Sequence, residues 1–288
     1  MRPDATLRLD ETPHPNSSPE KEGLLSVLLP TRSVAKPWGK AVLPPPFLAQ
    51  PGTRIGEVWF EPPPGLPQLL VKYIFTSEAL SVQVHPSNAQ LPGGGKEECW
   101  LVIDADPGAK LGIGFTREVS ADEMRGAALD GSIEHLLAWH PVSAGDFFYI
   151  PANTVHAIGA GVSLIEVQQN SDVTYRLYDY GRPRELHLDA SLAVARGETY
   201  CAQHLLKLAE NGEVALVDGP LFRLDRLHGP ASAAASARYG SAPLLVIPRS
   251  LGVSVCGEAV APGECALAPG LADVVLAPDA KTLITQPC

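Results

Sequence analysis

Three short stretches of this 288-residue chain carry side chains able to hold a metal ion. SVQVHPSNA spaces Ser81, Gln83 and His85 two apart, and on a strand such residues share one face. GGGKEECW offers Lys96 and Glu98 on one face, and IPANTVHAIGAG presents His156 just after a turn. Histidine and carboxylate groups converging from separate strands, with a coordination position left open, are the donors of catalytic zinc centres. Taken singly, each has an ordinary structural role. A His beside a Pro is most often only hydrogen-bonded, the same holds for His156, and Glu98 between Glu97 and Cys99 reads as a solvated strand end. The polar alternation inside apolar LSVQVH argues otherwise, because a half-buried strand that turns its polar groups to one face must give them partners. That face is expected to line the mouth of a barrel.

The elements that must position these groups are short strands. From Leu25 the chain is a series of apolar runs, GEVWF (56–60), LPQLLVKYIF (66–75), LSVQVH (80–85), CWLVID (99–104) and KLGIGF (110–115), each bounded by Pro, Gly, Asn or Asp. The 28 prolines and 26 glycines, with only 19% charged residues, suit many strands and tight turns better than long helices. One interruption stands at 118–140. Ser120 with Glu123 three residues on has capping-box spacing, and Leu129, Ile133, Leu136 and Leu137 follow at helical intervals, so two short helices are expected there. Strands resume at DFFYIP (146–151), VSLIEVQQ (162–169) and VTYRLYDY (173–180), and a short helix near 188–195 closes the unit.

After about residue 200 the pattern restarts with HLLKLAE, LFRLDRLH, APLLVIP, LGVSVCG, GECALAPG and TLITQ. AGDFFYIPANTVHAI and PGECALAPGLADVV share a Gly-acid, apolar, Pro order, as two diverged barrels would. The second copy has no His in the place of His156. The expected fold is therefore all-β, mainly β with a short helical insertion: two β-barrel or jelly-roll domains, the second degenerate. Residues 1–24 read as a disordered leader, 25–198 as the metal-binding catalytic domain, and 199–288 as a smaller β domain without metal.

A net charge of −10 and a pI near 5.3 argue against a nucleic-acid footprint, so any anionic ligand needs a local basic pocket. The five cysteines are widely spaced with no CxxC pair, which suggests neither a disulfide framework nor a thiolate zinc site and fits a reducing cytoplasm. No apolar run approaches the roughly 18–20 residues of a membrane span, and the N-terminus lacks the apolar stretch of a signal peptide. No sequence feature fixes an oligomeric state.

Several motifs in one order resemble a known family. KPWGK (36–40), GEVW (56–59), QVHP, GKxExW, GDFFYIPxxTVHAIG and IEVQQNSDVTYRLYDYGRPRELH are similar to the type I phosphomannose isomerases in their short bacterial form, strongly over about 30–195 and by pattern alone beyond. The resemblance implies that the two barrels are cupin-like, with one zinc ion per chain on His85, Glu98 and His156 and Gln83 as fourth ligand or outer-shell partner. It also implies a sugar-phosphate substrate flanked by Ser81 and Lys96, an active-site arginine at Arg176, a carboxylate near the sugar at Glu166, and phosphate held by Arg182 or Arg184. The chain departs from the longer members in its short Gly-rich turn NAQLPGGGK, in lacking their large helical domain, and in a one-residue shift around Glu166.

The implied reaction interconverts mannose 6-phosphate and fructose 6-phosphate through an enediolate that a cation stabilises. Glu166, a metal-bound water, or Lys96 with its pKa lowered by burial and the nearby cation could each carry the proton. Two other classes compete. A cupin dioxygenase or decarboxylase usually carries a His-x-His pair, whereas Gln83 stands at the first position here, and a non-catalytic sugar-phosphate sensor would retain the pocket without turnover. Trp38, Trp59 and Trp100 read as core or rim packing, and Arg176 has the alternative of a plain ion pair with Asp179.

Overall fold

A computed structural model of the chain describes residues 26–288, so the leader expected at 1–24 lies outside the described residues. The first ten strands are β1 (Thr31–Lys40), β2 (Ile55–Phe60), β3 (Leu69–Phe75), β4 (Val82–Val84), β5 (Glu98–Ala105), β6 (Lys110–Phe115), β7 (Leu137–Pro141), β8 (Asp146–Ile150), β9 (His156–Ile158) and β10 (Val162–Gln169). They are followed by β11 (Tyr175–Tyr178) and β12 (Leu205–Lys207). These strands form two antiparallel sheets, a seven-stranded one in the order β1-β2-β3-β10-β5-β8-β12 and a five-stranded one in the order β11-β4-β9-β6-β7. The remainder, β13 (Val214–Asp218), β14 (Phe222–His228), β15 (Leu244–Pro248), β16 (Val253–Val255), β17 (Glu258–Val260), β18 (Ala266–Ala268), β19 (Val274–Leu276) and β20 (Lys281–Pro287), forms two further sheets. Their orders are β13-β14-β20-β15-β18 and β17-β16-β19. The chain is thus mainly β with antiparallel sheets, as its punctuation of Pro and Gly predicts.

The alternation of side chains along each strand shows how the sheets are stacked. In β3, β5, β8 and β10 one set of residues (Ile74, Trp100, Val102, Phe148, Leu164) meets Leu111, Ile113 and Ile158 of the five-stranded sheet, filling the barrel between the two. The opposite set (Val71, Tyr73, Phe75, Leu101, Ile165, Val167) packs on Leu224, Leu245, Ile247 and Leu283 of the third sheet. That third sheet in turn sets Leu244, Val246 and Ile284 against Val253, Val255 and Leu276 of the fourth. The seven-stranded sheet is therefore covered on both faces, which is why all seven residues of β3 are buried. One core runs through both halves of the chain, and β12, beyond residue 199, pairs with β8 of the first sheet.

The helical interruption forms α1 (Ala121–Asp130) and α2 (Ile133–Leu136), and α3 (Leu188–Val194) lies where the short closing helix is expected. The Ser120 hydroxyl accepts the Glu123 amide at 3.2 Å, the capping half of the predicted box. The helices cover the outer face of the five-stranded sheet, where Met124, Ala127 and Ala128 meet Val82, Val84, Ala157 and Leu177. One expectation fails: Leu129 is 69% exposed, because the buried face of α1 runs through Met124, Ala127 and Ala128 instead. The sequence also hides α4 (Ala233–Tyr239), an alanine-rich turn pair capped by Ser232.

The two segments with the shared Gly-acid, apolar, Pro pattern adopt the same course. β8 leads through Pro151 and a turn into β9 on the facing sheet, and β18 leads through Pro269 and a turn into β19 on its facing sheet. Val274 stands in the second copy where His156 stands in the first. No helix among the described residues is long and apolar enough to cross a membrane.

Candidate metal centre and anion cleft

The barrel interior presents two facing rows of polar side chains fixed by strand register. Across the seven-stranded sheet Lys72, Glu166 and Trp100 are direct cross-strand neighbours. Across the five-stranded sheet Arg176 pairs with Gln83, and Gln83 with His156. His85 follows β4, and Glu98 opens β5 opposite Gln168.

Two turns bring His85, Glu98 and His156 together. Asn153, in the left-handed region at φ 73°, donates its backbone N–H to the His85 carbonyl at 2.8 Å, tying the turn before His156 to the end of β4. Gly95 lets the other turn fold back on itself, since a Cβ there would lie 2.4 Å from the Asn88 nitrogen, and the Lys96 N–H then reaches the Pro86 carbonyl at 3.0 Å. The three candidate donor atoms lie within 4.8 Å of one another, all on buried residues.

Their chemistry fits a cation. His85 donates Nδ1–H to the Val173 carbonyl at 2.8 Å and His156 donates Nδ1–H to the Thr154 carbonyl at 2.9 Å, which leaves each Nε2 as a bare lone pair. Those lone pairs face the two oxygens of one carboxylate, at 3.5 Å from Glu98 Oε2 and 3.4 Å from Oε1. Glu98 Oε1 is buried and accepts no hydrogen bond. Three acceptors directed at one point repel unless something positive joins them. Burial, and after it the Lys96 ammonium, hold the His85 imidazole well below its usual range; burial holds His156 down as well, so both rings are neutral at neutral pH. The set is compatible with a metal ion.

In this structure the positive partner is Lys96, whose ammonium meets the Glu98 carboxylate and lies 3.2 Å from His85 Nε2. Burial works downward on its pKa, but the Glu166 and Glu98 carboxylates outweigh it and raise it. Gln83 is brought to the same centre, its amide donating to His156 Nε2 at 3.2 Å and accepting from Ser81 at 3.2 Å.

Beside this centre opens a cleft of about 190 Å³, small against the roughly 300–1,000 Å³ of drug-sized pockets, so suited to one small polar molecule. Ser81, Gln83, Lys96, Glu166 and Arg176 all line it. Glu166 is fixed by Lys72 at 3.2 Å and the Trp100 indole N–H at 2.9 Å. Five cationic side chains against three carboxylates line the cleft, a positive surplus in a chain of net charge −10. Arg176 makes no ion pair with Asp179; its Nε is buried without a partner, and burial and then neighbouring Arg184 lower its pKa. Two guanidiniums side by side, one of them unpaired, form a site for an anion.

Of the two arginines that the resemblance offers for the phosphate, Arg182 is absent from the lining. Its guanidinium donates to the Asp179 carboxylate and to the Ala79 carbonyl, each at 2.8 Å, and it is Arg184 that reaches the cleft. The sequence reading also missed the wall built by Lys36, Glu57, Trp59 and Lys72. There Lys36 pairs with Glu57 at 3.3 Å, Trp59 donates to Glu57 at 3.2 Å, and the Lys72 ammonium stands 4.4 Å from the Trp59 ring centroid. The signal was available: a single Lys inside apolar LLVKYIF and the Glu-x-Trp alternation of GEVW. Trp38 and Trp100, by contrast, are core residues, although Trp38 also touches the cleft.

An antiparallel barrel with a buried His–Glu–His cluster opening on a cationic cleft defines a cupin-like protein with a candidate metal centre. Its relatives narrow the class. The chain is 47% identical over 136 residues to mannose-6-phosphate isomerase of Streptococcus mutans and 43% identical over 140 residues to mannose-6-phosphate isomerase ManA of Bacillus subtilis. Each match covers 44% of this chain and 43% of the relative, so the chain matches less than half of the length of these proteins. The fold is shared far more widely. The crystal structure of mannose 6-phosphate isomerase from Bacillus subtilis superposes with a TM-score of 0.71 over 91% of this chain and 99% of its own, at 22% identity. A variant of phosphomannose isomerase from Salmonella typhimurium gives 0.69 over 91% and 100%, at 14% identity. No protein-family model matches the chain. The chain is thus a sequence relative of the mannose-6-phosphate isomerases and has the phosphomannose isomerase fold.

Proposed function

We propose that this chain is a zinc-dependent aldose–ketose isomerase interconverting mannose 6-phosphate and fructose 6-phosphate. The observation that carries the reading is the pair of neutral imidazoles whose Nε2 lone pairs are turned on one buried carboxylate beside a cationic cleft. The substrate comes from the names of the relatives matched at 43–47% identity. His85, Glu98 and His156 would hold one zinc ion, with Gln83 as fourth ligand or outer-shell partner. Bound zinc would supply Lewis-acid polarisation of the sugar oxygens.

The chain's own groups divide the remaining work. Arg176 and Arg184 hold the phosphate by forked, charge-assisted hydrogen bonds, and Ser81 and Lys96 orient the sugar. Isomerisation moves a proton between the first two carbons of the sugar. Lys96, at the cleft wall and 3.9 Å from Glu166, donates to the sugar oxygen that gains charge; Glu166, anchored by Lys72 and Trp100, is the group left to take the carbon-bound proton. The smaller sheets of 199–288, with Val274 in the place of His156, form a second cupin-like unit without metal behind the catalytic unit of 25–198. The five cysteines, all free thiols, fit a reducing cytoplasm.

A coupled assay for fructose 6-phosphate formed from mannose 6-phosphate tests the reading, run on protein as purified, after chelation and after zinc is added back. Activity lost with chelator and restored by zinc is expected. A zinc-loaded protein that binds the sugar phosphate without turnover would be a sensor instead.

A further inference from the structure

The strap that follows β11 is built around one buried carboxylate. Asp179 is 1% exposed, and both of its oxygens are occupied by arginines from the next five residues. Arg184 donates Nε to Oδ2 and Nη2 to Oδ1, each at 2.6 Å, a forked pair; Arg182 donates Nη2 to Oδ1 at 2.8 Å. Chain reversal between them is a tight turn closed by the Arg182 N–H on the Asp179 carbonyl at 3.0 Å, with Tyr180 at φ 54° and Gly181 at φ 73°. A tyrosine in the left-handed region is costly backbone, and such geometry persists only where its surroundings hold it. Arg182 ties the strap to the rest of the fold through the carbonyl of Ala79, one residue before Leu80 and Ser81 of the cleft wall.

The forked pair uses two of the five N–H groups of Arg184 and fixes the plane of its guanidinium. The three that remain are available at the cleft, where Arg184 stands beside Arg176. We propose that Asp179 is a positioning residue for substrate anion binding: it holds Arg184 in the one orientation in which its free edge and Arg176 grip the phosphate together, with Arg182 as the strut that locks the strap. This inference rests on the reading of the cleft as a sugar-phosphate site. An unanchored Arg184, 36% exposed, would swing into solvent. Arg182, one of the two arginines offered for the phosphate from sequence, serves it only through Asp179.

The test is a double-mutant cycle on the zinc-loaded, full-length protein. Asp179→Asn and Arg184→Met are each expected to raise KM for the sugar phosphate on the order of tenfold, with kcat changed far less. Combined, they should raise KM no further than Arg184→Met alone. Arg184→Lys, at a partly exposed position that tolerates change, should behave like Arg184→Met, because a lysine cannot pair bidentately and still present a fixed edge. Calorimetric titration with inorganic phosphate reads the same coupling without turnover. Additive effects of Asp179→Asn and Arg184→Met, or wild-type KM in Arg184→Lys, with wild-type turnover intact, overturn this inference alone. A wild-type protein that neither turns over the sugar phosphate nor binds phosphate overturns the cleft reading and this inference together.

Discussion

The ammonium of Lys96 lies 3.2 Å from Nε2 of His85, so a cation of the chain itself sits among the lone pairs that would hold a metal ion. It also neutralises Glu98, whose pKa burial would push up but which Lys96 and then His156 bring below the usual carboxylate range. Removing Lys96 leaves a buried carboxylate facing two imidazole lone pairs. Lys96→Met is therefore expected to destabilise the chelated protein by about 3–5 kcal/mol, the scale for breaking a buried charge pair, and added zinc should recover most of that loss. Calorimetric melting with and without zinc reads both effects. If the chelated variant melts with the wild type, Lys96 is not the counter-ion of Glu98.

Glu98→Gln keeps the shape of the side chain and removes the only negative charge of the donor cluster. Zinc per chain, measured by elemental analysis after gel filtration, should fall well below one. Activity should fall by at least the roughly 10–100-fold typical of changes to outer-shell partners. Full zinc occupancy in this variant would remove Glu98 from the ligand set.

Glu166 and Lys96 both face the cleft, only 3.9 Å apart, yet the division of labour proposed for them predicts different losses. Glu166→Gln should lower kcat by roughly 10²–10⁴ while leaving zinc content and KM near wild type. Deuterium exchange from solvent into the sugar carbon should slow in parallel. Wild-type exchange in Glu166→Gln would assign the proton to another group.

The strand framework and the candidate metal cluster were legible because both leave local marks: Pro and Gly at strand ends, and polar residues two apart inside apolar runs. KLGIGF and VSLIEVQQ became β6 and β10 with their predicted bounds, and His85, Glu98 and His156 converge. What could not be read was set by packing between distant segments. Leu129 looked like core from its spacing but faces solvent, since the sheet that α1 covers lies on its alanine side. Lys72, a single cation inside apolar LPQLLVKYIF, drew no assignment from sequence; β3 is an interior strand covered on both faces, which turns its lysine inward to Glu166.

Arg182 and Arg184 illustrate the same limit at the scale of one turn. Two residues apart in sequence, they are equivalent by composition, and only the buried carboxylate of Asp179 and the left-handed turn at Tyr180 and Gly181 decide which reaches the cleft. Lys96 is the electrostatic counterpart. Burial alone predicts a lowered pKa, and the opposite direction follows from two carboxylates, one of them on a strand 70 residues further along.

The layered fold also predicts an alkaline limit. Tyr149, Tyr200 and Tyr239 all have pKa values raised above the ordinary 10.0, first by burial and, for Tyr149, next by its hydrogen bond to the Glu97 carboxylate. A raised folded-state pKa means that the folded protein retains protons the unfolded chain would release. Their stabilisation is therefore complete below pH 10 and drains away as the pH climbs above it. Tyr149→Phe isolates one contribution. At pH 8 the variant should be less stable by about 1–3 kcal/mol, the scale of a hydrogen bond to a charged group. Above pH 10 the gap should shrink, because the wild type then loses what the variant never had. Urea unfolding at pH 8, 10 and 11, followed by circular dichroism with tyrosinate absorbance alongside, measures the difference directly. A gap that stays constant across that range would mean that the Tyr149 hydroxyl titrates as freely in the folded protein as in the unfolded chain.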